Sequence, residues 1–448
     1  MKTKFFTLLF SVLGLLSAVL GTTTHAQVAP NVQRTRIAGI DVVVYKTGVK
    51  DVVYLRGSLP AGDNKAPADN VMVPTLVGGM LSRGTLKHTK NEITAQLDAV
   101  GASINFGVDS HMVEFSARCL AKDVPLVVSL LAEQLREPAF SEEEFNRLKQ
   151  QTIGNLRRAL ENTDFRATDE FSRAAYSPGH PNRNPTVDEC IAAVQAANLE
   201  DLKKFHAEHY GPAHLTLVAA GDLDVNALQT ALTQSFAGWS GGTAPLPTPK
   251  NTGTDTAKEQ VVFMPDKTSV SIVIGQATGL RYGDPDYIAL RAGTAILGSG
   301  FTGRLMANVR DKEGLTYGIR SSLSNDTFTD GDWSITATFA PALLDKGIAS
   351  TKHQLTEWYN HGVTADELER RKDNLVGSWQ VSLATTEGLT QTLLSTLHRG
   401  KDVSWIDEYP NVVRSLTVEQ VNDAIKKHLN PDEMFLIKAG TVPGAVQN

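Results

Sequence analysis

The sequence predicts an α+β protein built from two homologous domains, each a mainly antiparallel sheet packed with helices. Three observations carry that reading. The chain repeats itself: NLEDLKKFHAEHYGPAHLTLVAAG (198–221) aligns without a gap on TVEQVNDAIKKHLNPDEMFLIKAG (417–440), matching Glu200 with Glu419, His209 with His428, Pro212 with Pro431 and Ala220-Gly221 with Ala439-Gly440. FSEEEFNRLKQQTIG (140–154) aligns in the same way on VTADELERRKDNLVG (363–377), at nearly the same offset, so an internal duplication explains both matches. Between the halves, residues 239–258 are rich in Gly, Pro and Thr and poor in core formers, the composition of a linker. Finally, about 420 residues after an N-terminal leader exceed what one hydrophobic core organises. The expected boundaries are a leader at 1–26, an N-terminal domain at 27–238, the linker at 239–258 and a C-terminal domain at 259–448.

Residues 34–58 read as strands, β-branched runs broken by Gly and Lys-Asp turns. VMVPTLVGGMLS (71–82) reads as a buried apolar helix despite Pro74 and the Gly78-Gly79 pair. A short amphipathic helix covers Asn91–Val100, and INFGVDSHMVEFSARCL (104–120) alternates like a strand pair. Helices follow over Val124–Glu137 and Ser141–Leu160, the second with Ser141 as N-cap and Glu142–Glu144 in the first turn, where negative charge suits the helix dipole. A Pro- and Asn-rich loop (Ser177–Pro185) precedes helices at Val187–Ala196 and Leu199–His209, and the strand HLTLVAAGD closes the unit.

The N-terminus places Lys2 and Lys4 before an apolar run, Phe5–Leu20, and a polar stretch ending at Ala26, the layout of a secretory signal peptide cut after Ala26. The run is short for a bilayer, no Cys stands near the cut for a lipid anchor, and no later stretch is long and apolar enough to span a membrane. A soluble periplasmic or exported chain is expected. Losing Lys2 and Lys4 takes the net charge from −6 to −8, and no basic cluster stands out, which argues against nucleic acid as a partner. Cys119 and Cys190 are the only cysteines; a bridge and two buried thiols are equally compatible with their surroundings.

The stretch with the most chemistry is ILGSGFTGRLMANVRDKEGLTYGIR (296–320). A helix end breaks at Gly298-Ser299-Gly300 and a second helical run starts at Thr302. Leu305, Met306 and Val309 share helical spacing, Gly314 terminates the run, and a strand begins at Leu315. Arg310 near the helix end and Tyr317 early in the strand are thereby separated by one turn. A guanidinium and a phenol so placed donate hydrogen bonds to one oxygen, a peptide carbonyl or the oxyanion derived from it.

The leader, the duplicated halves and the segment Gly300-Phe301, Arg304-Leu305, Arg310, Lys312, Gly314-Leu315 and Tyr317 together resemble the pitrilysin-type (M16) zinc peptidases, over nearly all of the mature chain. The resemblance implies a LuxS/mitochondrial-processing-peptidase-like fold, and it implies that Arg310 and Tyr317 hold a substrate backbone at a zinc site in an opposing half. That family's active members carry His-x-x-Glu-His on a helix, two zinc ligands and a water-activating base. Here the matching helix has Thr75 at the first His, Gly78 at the Glu and Gly79 at the second His. The third ligand, a downstream Glu, is missing too, since Phe145–Leu160 contains no Asp or Glu. No metal is therefore expected in this chain. His206, His209 and His214 form the one His-rich patch, but His209 recurs as His428 in the repeat, which favours packing over ligation; His111 and His180 read as ordinary polar residues. The resemblance implies a non-zinc-binding subunit, inactive alone, that pairs with a homologous chain bearing the zinc motif and zinc to hydrolyse peptides. The alternative is a non-catalytic scaffold or peptide-binding protein, as in the core proteins of respiratory complex III. No Gly-x-Ser-x-Gly, P-loop or dinucleotide motif supports another catalytic class.

Overall fold

The computed structural model describes residues 27–254 and 258–445; the expected leader lies outside the described residues. Strands β1 (Val32–Ile37), β2 (Ile40–Lys46), β3 (Val52–Leu59), β4 (Ser103–Val108), β5 (Val113–Leu120) and β6 (Thr216–Gly221) form one sheet in the order β1-β2-β6-β3-β5-β4. Around it run α1 (Val73–Met80), α2 (Lys90–Ala99), α3 (Val124–Arg136), α4 (Glu142–Leu160), α5 (Thr163–Ala175), α6 (Val187–Ala196), α7 (Leu199–His209) and α8 (Val225–Ser235). The second half supplies β7 (Glu259–Phe263), β8 (Val270–Ala277), β9 (Thr316–Ser324), β10 (Asp332–Phe339) and β11 (Phe435–Gly440), ordered β7-β11-β8-β10-β9. Its helices are α9 (Tyr287–Gly298), α10 (Leu344–His361), α11 (Ala365–Leu383), α12 (Thr386–His398), α13 (Trp405–Ser415) and α14 (Val418–His428).

Apart from the additional β1, the two sheets have one topology. β2 runs parallel to β6 and β7 parallel to β11, while the remaining pairs are antiparallel. The aligned Ala-Gly dipeptides end β6 and β11 with matching backbones: Gly221 has φ +141° and Gly440 φ +139°. A Cβ on Gly221 would lie 2.1 Å from the Val52 carbonyl oxygen, so both space and conformation require glycine there. Expected caps also form. Ser141 Oγ accepts the Glu144 N–H at 3.2 Å, and Thr364 with Glu367 makes a full capping box on α11, the counterpart of α4.

Each half covers one face of its sheet with its own helices and lends a helix to the other half. On α5, Ala167, Phe171 and Ala174 pack against Val273, Phe435 and Ile437 of the second sheet. The counterpart α12, offset by the repeat length, places Leu389, Leu393 and Leu394 on Val43, Val218 and Ala220 of the first sheet. Burying these faces through the opposite half removes apolar surface that neither half covers alone. Tyr176, at the end of α5, and the Ser177–Pro185 loop complete the seam: the Tyr176 hydroxyl donates to Asp332 Oδ2 at 3.0 Å, and Asn182 Nδ2 donates to Thr329 Oγ1 at 2.8 Å. Burial pushes the Asp332 carboxyl up to about 6. The Pro- and Thr-rich segment 240–254 has no helix or strand but is tied down, Lys65 Nζ donating to the Ala244 carbonyl at 2.8 Å and Thr248 Oγ1 to the Phe328 carbonyl at 3.0 Å.

Candidate functional site

Arg310 does not sit on a regular α-helix as its spacing suggests. Residues Met306–Lys312 form a π-helical segment, in which Glu313 N–H reaches back to the Asn308 carbonyl at 3.0 Å. The cause is anchoring at both ends: Leu305 and Val309 are fully buried, and Leu315 N–H bonds to the Val309 carbonyl at 3.0 Å, so the wider turn absorbs the exit into β9. Tyr317 stands on a β-bulge. Ala337 pairs with Ile319 and Phe339 with Thr316, so β9 holds one extra residue over this stretch, and the bulge re-aims the Tyr317 ring until it is 90% exposed.

These two irregularities bring the expected pair together. Arg310 Cζ lies 5.4 Å from the Tyr317 ring centroid and 5.4 Å from that of Phe301, itself 73% exposed. Asp311 is the one carboxylate nearby, at 3.7 Å, and among the described residues the guanidinium donates no hydrogen bond. A solvent-facing cation is thus held between two aromatic rings with its donor fork unused. Sequence reasoning quoted Phe301 within the motif but gave it no role; its signal was an aromatic beside Gly300, which has φ +68°.

Thr75, Gly78 and Gly79, which the resemblance sets against the zinc motif, lie on α1. Thr75 Oγ1 donates to Asp63 Oδ1 at 2.9 Å, and burial lifts the Asp63 carboxyl to about 6. A Cβ built on Gly78 would lie 2.2 Å from Val108 Cγ2, and one on Gly79 would lie 3.0 Å from both Leu148 methyls. Val108 from β4 and Leu148 from α4 therefore occupy the room that a Glu and a His side chain need. One hydroxyl and two glycines offer zinc neither imidazole nor carboxylate. Among the described residues, no group of three or more His, Cys, Asp or Glu is placed to hold a metal ion.

Comparison with known proteins bears on the same two regions. Residues 42–186 match the family model described as Insulinase (Peptidase family M16), and residues 196–375 match the one described as Peptidase M16 inactive domain. The chain belongs to the M16 peptidase family. It is 26% identical to an uncharacterized zinc protease of Streptomyces coelicolor over 76% of this chain and 75% of that one. It is 21% identical to the non-peptidase homolog YmxG of Helicobacter pylori, over 90% and 92% of the two chains. Among solved structures it is similar to a peptidase M16 inactive domain from Pseudomonas fluorescens, with a TM-score of 0.85, 26% identity and coverage of 93% and 99%. The periplasmic protease PqqL from Escherichia coli shares the fold at a TM-score of 0.77 and 16% identity; the match covers 92% of this chain and 46% of PqqL.

The remaining sequence candidates have other partners in this M16 fold. His206 Nε2 donates to the Leu135 carbonyl at 2.8 Å, and His209 Nδ1 contacts Thr243 Oγ1 at 2.9 Å. The two rings pack on Tyr210 and Phe205 respectively, which is a packing role for both. His180 and His111, expected to be ordinary polar residues, have ring partners: His180 stacks on Tyr176 at 4.6 Å and His111 meets Phe328 at 4.9 Å, both at the seam between the halves. No described helix is long and apolar enough to cross a membrane.

Cys119 and Cys190 are separate, buried and unbridged. Burial pushes their thiols up to about 12 and about 11, which leaves almost no thiolate at neutral pH. A thiol-specific chromogenic reagent is therefore expected to find no reactive thiol in the folded chain and two in denaturant, with or without prior reduction. A dependence on reductant would reveal a bridge and contradict this arrangement.

Proposed function

We propose that this chain is the non-zinc-binding subunit of a periplasmic, heterodimeric M16-type peptidase. It presents Arg310 and Tyr317 to the zinc site of a homologous partner that carries an intact His-x-x-Glu-His motif. The observation that supports this reading is the contrast between the two sites. The zinc-motif positions Thr75, Gly78 and Gly79 are bonded away or packed shut, whereas Arg310 keeps an unused donor fork beside an exposed phenol.

In the assembled enzyme Arg310 donates to a substrate carbonyl oxygen, and the Tyr317 hydroxyl donates to the oxyanion that forms from it. The partner's zinc supplies the activated water. Extended peptides fit such a site because they add a strand at a sheet edge, and β9, which begins beside Tyr317, pairs only with β10 among the described residues. The periplasmic assignment draws on the leader-like N-terminus and on the likeness to PqqL, a periplasmic protease.

A second reading, a non-catalytic scaffold or peptide-binding protein, is favoured by the Helicobacter pylori relative, which is named a non-peptidase homolog. Cleavage of a quenched fluorescent peptide by this chain, by a zinc-motif homologue and by their mixture separates the two. Activity confined to the mixture is the expected result. A mixture no faster than the homologue alone would leave the scaffold reading standing.

A further inference from the structure

Alternation along β9 sorts its residues between the two faces of the second sheet. Ile319 packs into the core of the second half, and Ser321 Oγ donates to the Thr294 carbonyl of α9 at 2.8 Å, so both point to the face that α9 covers. Arg320, between them, is exposed on the opposite face, where its cross-strand neighbour on β10 is Thr336. A cavity of about 390 Å³ lies on that face, and Arg320, Thr336, Thr338, Ser271, Thr168 and Asp164 supply its polar lining. Nothing in the proposed chemistry uses it.

Most of these polar groups are already committed. Ser271 Oγ and Thr338 Oγ1 both donate to Asp164 Oδ1, the second at 3.1 Å, and Thr168 Oγ1 donates to the Asp164 carbonyl at 2.9 Å. Among the described residues, Arg320 has neither a hydrogen bond nor an ion pair, and the Thr336 hydroxyl has no partner. A free guanidinium fork beside a free hydroxyl is a donor set for a carboxylate. Asp164 does not cancel it. That carboxylate hangs from α5 over β8 and β10, and β9 stands between it and any strand added at the outer edge of the sheet. A side chain arriving from that edge meets Arg320 first.

The internal duplication shows that the fold does not ask for a cation here. Val218 of β6 corresponds to Ile437 of β11 in the repeat. Followed outward across the first sheet, Val218 pairs with Arg56, Arg56 with Ser116 and Ser116 with Asn105. Across the second, Ile437 pairs with Val273, Val273 with Thr336 and Thr336 with Arg320. The edge position held by Arg320 in one half is therefore held by the uncharged Asn105 in the other.

We propose that Arg320, assisted by the Thr336 hydroxyl, is a specificity-determining residue that takes the carboxylate of a Glu or Asp in the peptide whose backbone Arg310 holds. A peptide added to the outer edge of β9 places every second side chain on this face, with its Cβ about 5 Å from that of the strand residue it faces. That distance lets a guanidinium grip a carboxylate with two parallel hydrogen bonds. The assignment rests on the peptide-handling function proposed above for the nature of its ligand.

The test uses the full chain alone and fluorescein-labelled, Thr-rich peptides of about ten residues that differ only in one central Glu, Gln or Lys. Fluorescence anisotropy is expected to show the Glu peptide binding about five-fold more tightly than the Gln peptide, the upper part of what an opposite-charge cross-strand pair contributes, with the Lys peptide weakest. The chain itself carries a net charge of −6, so bulk attraction would favour Lys and cannot produce this order. Arg320→Gln is expected to erase the preference with the thermal midpoint unmoved, and Arg320→Glu to reverse it in favour of Lys. Equal affinity for the three peptides, no binding of any of them, or an Arg320→Glu chain that still prefers Glu would overturn the subsite. If Arg320 serves only to keep an open sheet edge from pairing with another chain, Arg320→Gln will self-associate while the Glu preference persists, and the subsite falls. The two proposals fail separately. An inactive mixture with the Glu preference intact removes the shared active site and keeps the subsite. An active mixture that requires Arg310 but does not distinguish Glu from Gln does the reverse.

Discussion

Replacing Arg310 with Ala is expected to lower kcat of the mixed enzyme by about 10²–10³-fold, about 3–4 kcal/mol of transition-state stabilisation, with KM changing little. The asymmetry follows from what the guanidinium contacts. The Phe301 and Tyr317 rings, each 5.4 Å away, flank it before substrate arrives, and its hydrogen bond to the substrate carbonyl strengthens as that oxygen becomes an oxyanion, so most of its effect falls on the transition state. Arg310→Lys is expected to recover only part of the loss, because an ammonium neither stacks between two rings nor presents a planar fork. Lys312→Ala, two residues away, is expected to remain within about two-fold of wild type. Steady-state kinetics with complex formation checked by size exclusion decides the matter. A defect confined to KM, or one explained by failure to form the complex, would move Arg310 from the chemistry to the interface.

Much of the fold was legible because periodicity and caps act locally. The helix read at Val124–Glu137 is α3, and the Ser141 cap opens α4 as expected. The strands read at 34–58 and 104–120 form, to within a residue of those bounds, as β2, β3, β4 and β5. The repeat also foretold that the sheets share one order. The sequence reading passed over α5. TDFRATDEFSRAA has a narrow apolar face, and that face is explained only by the second sheet, whose strands β8 and β11 come much later in the chain. The same holds for the seam histidines: His111 meets Phe328 and His180 bonds to Asp330, both from the other half.

The candidate site divides along the same line. Arg310 and Tyr317 were legible because a helix stop at Gly314 puts them one turn apart. The π-helical segment and the β9 bulge, which set their final directions, arise from buried anchors at Leu305, Val309 and Leu315 that a spacing rule does not weigh. The departure from the zinc motif that the resemblance implies was legible at Thr75, Gly78 and Gly79. That Val108 and Leu148 fill the space beside the two glycines was not, since both come from other elements.

That repacking yields the second large expected effect: rebuilding the motif as Thr75→His, Gly78→Glu and Gly79→His is expected to give a destabilised chain that binds no zinc. At Gly78 two effects compete. Removing a glycine from a helix interior favours the helix by about 1 kcal/mol, but the new Cβ would lie 2.2 Å from Val108 Cγ2, and overpacking a filled core costs about 1–3 kcal/mol. The steric cost wins, because Val108 is β-branched and stiff, close to its backbone, and cannot swing aside. At Gly79 the neighbours are the two methyls at the tip of Leu148, 3.0 Å away, so a small side chain is accommodated by a slight rotation while an imidazole is not. Thr75→His removes the hydroxyl that now bonds Asp63, taking one of the donors from that buried carboxyl. Gly78→Ala alone is therefore expected to lower the urea midpoint, and Gly79→Ala to change it little. Val108→Ala combined with Gly78→Ala is expected to recover most of the loss by reopening the space. Equilibrium dialysis of the triple variant supplies the decisive reading. Tight zinc binding there, without the extra carboxylate that Phe145–Leu160 lacks, would mean that the site was dormant rather than rebuilt, and the assignment of zinc to the partner chain would fall with it.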